Sequence, residues 1–244
     1  VNIELPTAVD LENLAPEKNR PQLENNMAQI EIKAKEIKND RKNGIKATPF
    51  YAPAGQSTQM IIGATPTPDR DILTTSAELY GKHRLRRVYY SAFSPIPHAD
   101  LRLPPQKPPL IREHRLYQAD WMLRFYQYKV TDIATDTHPN LDLDIDPKTS
   151  WALRNPGFFP IDINTAPREH LLRIPGVGVN SVNKILSIRR YAALGVKDLL
   201  RLKVAFNRAR HFLIAADHKP MLLGNDNLLS QALRPPAVQL ALAL

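Results

Sequence analysis

Pro175-Gly176-Val177-Gly178 separates two short apolar segments, and residues of this kind at this spacing can capture an anion. A helix that starts after the second glycine begins with backbone amides that have no partner inside the helix. That end also carries partial positive charge. The glycines permit a tight turn and a close approach of the backbone. The expected donors are the amides of Gly176, Gly178, Val179 and Asn180, with the cations Arg173, Lys184 and Arg189 nearby. In a basic stretch the anion that suits them is a nucleic-acid phosphate. An ordinary corner between two packed helices, or a protein contact, is the other reading of the same residues.

Two helices must position those amides. Asn164 or Thr165 is an N-cap candidate for the first, which carries Leu171, Leu172 and Ile174 and stops at Pro175. Val179, Val182, Ile185, Leu186 and Ile188 recur at helical spacing in the second, and Val177 would seat the turn between the two. LLRIPGVGVNSVNKI resembles the helix-hairpin-helix motif of DNA repair and recombination proteins. Asp198 to Leu213 repeats the plan in weaker form. Leu199-Leu200-Arg201-Leu202 matches Leu171-Leu172-Arg173-Ile174, and with one deletion Asn207 falls where Asn180 does. The repeat lacks the proline and both glycines, so it is expected to supply core and the cations Lys203, Arg208 and Arg210.

Charge follows the same division. The chain has 244 residues and a formal charge of +9. Residues 1–75 carry 9 basic and 10 acidic side chains, 76–130 carry 10 against 4, and 166–219 carry 11 against 3. The two basic stretches are the candidate nucleic-acid faces. There is no cysteine, which excludes disulfides, thiolate zinc sites and a cysteine-held cluster within this chain. No apolar run reaches membrane-spanning length, and a cytoplasmic location with no membrane partner is the expectation. The sequence opens at Val1 in VNIELPT, which reads as a strand already under way; a fragment or a split reading frame is expected.

Upstream of the hairpin the pattern is α/β. Val1–Leu5 reads as a strand, Asp10–Leu14 as a short helix, and Pro21–Arg41 as a long one with the stripe Leu23, Met27, Ile30, Ala34 and Ile37. Gln59–Gly63 reads as a strand, Asp69–Tyr80 as a helix and Arg87–Phe93 as a third strand, an order that suits a parallel sheet or barrel. Ser94–Leu110 holds six prolines and is a stiff connection. Arg112–Tyr128 reads as an aromatic helix in which Arg112, Arg115 and Arg124 interleave; buried amphipathic packing outweighs a single-strand stacking surface. Asp142, Asp144 and Asp146 lack the length and glycine of a calcium loop, and no metal is expected. They lead into a helix near Ser150–Arg154. The division expected is therefore 1–95, a proline-rich connection with the aromatic helix 96–155, the hairpin domain 156–218 and a loose tail 219–244.

VNIELPT, TQMIIGATPTPDRDIL, RRVYYSAFSPIP, REHRLYQADWMLRFY and FPIDINTAPREHLLRIPGVG together resemble the DNA modification/repair radical SAM proteins over roughly residues 1–218. That resemblance implies the C-terminal part of a partial (β/α) TIM-type barrel followed by an all-α helix-hairpin-helix domain. It implies S-adenosylmethionine and a [4Fe–4S] cluster held by CxxxCxxC, with a 5′-deoxyadenosyl radical abstracting hydrogen from a substrate. It places Asn2 and Glu4 near the ribose and methionine parts of the cofactor, and Gly63, Ala64 and Thr65 near its adenine. Tyr90 and Ser91 would stand at the next strand end. The cluster motif is absent here, so this chain is expected to bind DNA, duplex and without sequence preference, but not to start radical chemistry by itself. Its catalytic residues are not identified, and the missing N-terminal half of the same enzyme is a further expected partner. The alternative is a non-enzymatic hairpin module for nucleic-acid or protein contact.

Overall fold

The computed structural model describes residues 1–45, 50–98, 100–221 and 226–234, and its chain divides into two compact mixed units. The first comprises Val1–Asp120 with Ala134–Leu141, the second Trp121–Ile133 with Asp142–Leu244.

In the first unit, α1 (Ala8–Leu14) is capped by the Thr7 hydroxyl and α2 (Arg20–Lys42) by the Asn19 side chain, with Pro21 in the first turn. The stripe of α2 faces inward as its spacing requires, although only Met27 is fully buried. β1 (Ser57–Ile62) and β2 (Arg87–Ala92) pair in parallel, joined by α3 (Asp69–His83). The strand expected at Val1–Leu5 is instead a single parallel bridge from Glu4 to Met60. Glu4 has φ 67, and the Leu5 amide turns back onto the Ile3 carbonyl, so the pleat breaks after one pair.

A buried polar cluster ties α4 (Leu110–Phe125) to the sheet. The Tyr117 hydroxyl brackets the Tyr90 backbone, lying 3.0 Å from its N and 3.1 Å from its O. The Asp120 carboxylate accepts from Tyr80 at 2.5 Å and from Tyr90 at 3.2 Å. Burial and the charge of Asp120 push the Tyr90 phenol well up, so it stays a neutral donor.

Residues 96–155 are shared between the units, 96–120 and 134–141 in the first, 121–133 and 142–155 in the second. In the second unit α5 (Val130–Ile133) and α6 (Pro147–Arg154) come first. The aspartate run is turn and cap chemistry: Asp142 accepts from the Asp144 and Ile145 amides, and Asp146 caps α6 through Thr149. Trp151 meets Tyr128, Phe158 and Phe159 edge-on, and Phe159 meets Phe212. β3 (Ile161–Asp162) then leads to α7 (Arg168–Arg173), α8 (Val179–Ile188), α9 (Val196–Arg201), α10 (Phe206–Ala209) and β4 (Leu213–Ile214), which closes in parallel on β3. Of the expected tail, Asp226–Leu233 is a helix, α11, whose Leu229 is buried; residues 222–225 and 235–244 lie outside the described residues. Among the described residues no helix is long and apolar enough to cross a membrane.

Asp120→Ala should lower stability by about 1–2 kcal/mol, because the half-buried Tyr80 hydroxyl loses its acceptor and the buried Tyr90 hydroxyl keeps only Ser76. Denaturant unfolding monitored by circular dichroism checks this.

Candidate nucleic-acid interface

The turn between α7 and α8 is built from its carbonyls inward. Val177 is buried, and its amide bonds back to the Ile174 carbonyl at 3.2 Å. The Gly176 carbonyl accepts from the Ala205 amide at 3.1 Å. The Val177 carbonyl accepts from the Lys148 ammonium at 2.6 Å. With the Val177 carbonyl held, the Gly178 amide in the same peptide plane points the opposite way. Gly178 is the N-cap of α8 in extended backbone and has no side chain to offer. The first bond of α8 runs from the Val182 amide to the Gly178 carbonyl at 2.9 Å, and nothing among the described residues accepts from the amides of Gly178, Val179 or Asn180.

The two glycines do different work. Gly176 has φ +80, and a Cβ there would stand 2.7 Å from the Ala205 carbonyl oxygen. Gly178 has an ordinary φ of −103, and a Cβ would meet only the Tyr126 hydroxyl, at 3.6 Å. Gly176 therefore makes the turn, and Gly178 leaves the helix start bare.

Of the three cations expected beside this turn, Lys184 alone is exposed, and among the described residues its side chain has no partner. Arg173 is stacked 3.7 Å over the Tyr128 ring and 4.9 Å from that of Trp151, with Asp132 at 3.5 Å. Arg189, expected near the turn, sits past the far end of α8, about 15 Å along the helix. It donates to the carbonyls of Ile163 at 3.0 Å and Ala166 at 2.6 Å, closing the entrance to α7. Asn164 and Thr165 do not cap α7, whose N-cap is Pro167. Asn164 instead exchanges two hydrogen bonds with the Leu194 backbone.

Sequence reasoning missed Lys148 and Tyr126. Lys148 is 7% exposed, and its ammonium lies 4.5 Å from the Tyr126 ring centroid. Burial, helped by the charge of Arg173, lowers its pKa to about 7 against the pull of Asp146. The one available signal was its isolation, since only Lys148 and Arg154 break the acidic stretch 131–165.

The second copy follows the same path, but its Ala205 and Phe206 amides are taken up internally. Lys203 takes φ 59 where Gly176 has φ +80, and Val204 is buried where Val177 is. The Ala205 amide, in the place of Gly178, is spent on the Gly176 carbonyl, and the Phe206 amide bonds to Val204. One turn is open and its copy is closed.

In the first unit, the Glu4 carboxylate is paired with Lys18, and Asn2 is exposed. A Cβ on Gly63 would strike the ring of Pro108 at 2.6 Å. Ala64 is buried with Leu5 and Leu11, and Thr65 shares a hydrogen bond with Thr67. None of the five lines the cavity of about 420 Å³ beside α2. The residues of this chain do not fit a cysteine-held cluster, since there is no cysteine.

Searches of protein-family models, curated proteins and solved structures return no match for this chain.

Two predictions follow from the turn. Gly176→Ser should cost about 2 kcal/mol or more through left-handed strain and the clash with Ala205, whereas Gly178→Ser should cost nothing, because serine is a preferred N-cap; thermal melts of both variants check the contrast. Between about pH 7 and the ordinary lysine value of 10.5 the unfolded chain holds a proton on Lys148 that the folded chain does not. Stability should therefore rise with pH across that window, and Lys148→Met should flatten the rise in denaturant midpoints.

Proposed function

We propose that the second unit holds a nucleic-acid backbone phosphate, DNA for preference, on the open amides of Gly178, Val179 and Asn180. In this reading it is a helix-hairpin-helix element and the DNA-binding part of a radical S-adenosylmethionine modification or repair enzyme. The chemistry of that enzyme, with its cofactor and cluster, resides in residues other than these. The supporting observation is the contrast between the two copies: one turn has no internal acceptor or cap for the Gly178, Val179 and Asn180 amides, and the other uses its Ala205 and Phe206 amides internally. The basic balance of residues 166–219, 11 cations against 3 acids, gives the anion a favourable surface.

Amides at a helix start hold phosphate through fixed donors and the helix dipole, without touching base edges. Binding should be sequence-independent and should weaken as salt rises. Lys184, one turn along from Asn180, supplies the exposed charge beside the amides.

Gly178→Asp tests the reading. Aspartate is a good N-cap, so its own carboxylate would occupy the amides and repel a phosphate while stability stays level or rises by roughly a few tenths of a kcal/mol. Fluorescence anisotropy with a labelled duplex at low salt should show binding by the native chain and its loss in this variant. Binding that persists unchanged in a folded Gly178→Asp protein contradicts the assignment.

A further inference from the structure

The helix α4 ends on a pair of exposed rings. Trp121 is 48% and Phe125 42% exposed, their centroids 4.3 Å apart and their planes tilted by 45°. The Arg124 guanidinium lies 4.8 Å from the Phe125 centroid and 6.0 Å from that of Trp121. Aromatic surface of this size normally goes inside, and the neighbouring rings Tyr128 and Trp151 do so. The pair also has a fixed connection to the turn. Trp121 hydrogen-bonds the Tyr126 hydroxyl, and that hydroxyl is the atom nearest to the bare Cβ position of Gly178. Exposed rings and open amides are therefore neighbours within the second unit, linked through one tyrosine.

We propose that Trp121 and Phe125 form a stacking platform for an unpaired nucleobase, so that the preferred ligand carries a single-stranded end beside the phosphate held at Gly178. This rests on the phosphate-capture reading above and narrows its substrate class. Bases within an intact duplex are stacked on each other and offer these rings no free face; an overhang or gap does. The guanidinium of Arg124 beside the rings adds a cation that a polyanion attracts, which favours a nucleic acid over an apolar peptide as the occupant. Stacking tolerates any base, in keeping with a site that has no base-edge reader.

The test uses the full chain with two probes at one salt concentration: a blunt duplex, and the same duplex extended by a thymidine overhang. The overhang probe should bind about tenfold more tightly. Trp121→Ala and Phe125→Ala should each remove most of that preference while leaving the blunt-duplex affinity unchanged, and Trp121→Phe should retain part of it. The overhang should also quench tryptophan emission, and Trp121→Phe should abolish the quenching, since the other tryptophan, Trp151, is only 7% exposed. That optical readout stands even if the alanine variant folds poorly. Equal affinity of the native chain for both probes, or equal weakening of both by the ring variants, overturns the stacking platform and leaves phosphate capture in place. Failure of the native chain to bind either probe removes both.

Discussion

Two hydrogen bonds to carbonyl oxygens decide what the second unit presents. The Ala205 amide holds Gly176 and the Lys148 ammonium holds Val177. A trans peptide has its carbonyl and amide on opposite edges, so holding the Val177 oxygen turns the Gly178 amide the other way, whereas the Val177 amide opposite the Gly176 oxygen is taken by Ile174. The uncapped start of α8 is the result. Lys148 is desolvated in this role, visible in its lowered pKa, and its Nζ still donates to the Val177 carbonyl.

The duplicated turn shows the same constraint from the other side. Ala205 lies in the second turn, and its amide is the one that holds the first. The closed copy is thus a structural support for the open one. The loss of the proline and glycines in Asp198–Leu213 then has a physical reading, because a turn whose amides are used internally needs no bare helix start. Arg173 and Arg189 also serve the scaffold, one by stacking on Tyr128 and the other by closing the α7 entrance.

The parts of this arrangement that were legible in the sequence are those carried by local pattern. The stripe of α2, the parallel β1–β2 pair and the α7–α8 turn all follow from spacing and punctuation. The kink at Glu4 did not, since a glutamate with positive φ leaves no mark in residue type. Gly176 and Gly178 look alike in sequence, yet only Gly176 needs its missing Cβ, for contact with a residue 29 positions on. Lys148 and Tyr126 reach the turn from 29 and 51 positions before Val177, a convergence that periodicity does not encode. Arg189 announced a charge, and only the fold reveals that its partners are carbonyls.

The central claim is that one turn is open to an anion and its copy is closed. Amide chemical shifts followed by NMR during titration with a short duplex at low salt address it directly. The account predicts saturable shifts at the Gly178, Val179 and Asn180 amides, with Ala205 and Phe206 unmoved. Shifts of equal size in both turns, or shifts that spare Gly178 to Asn180, would contradict it.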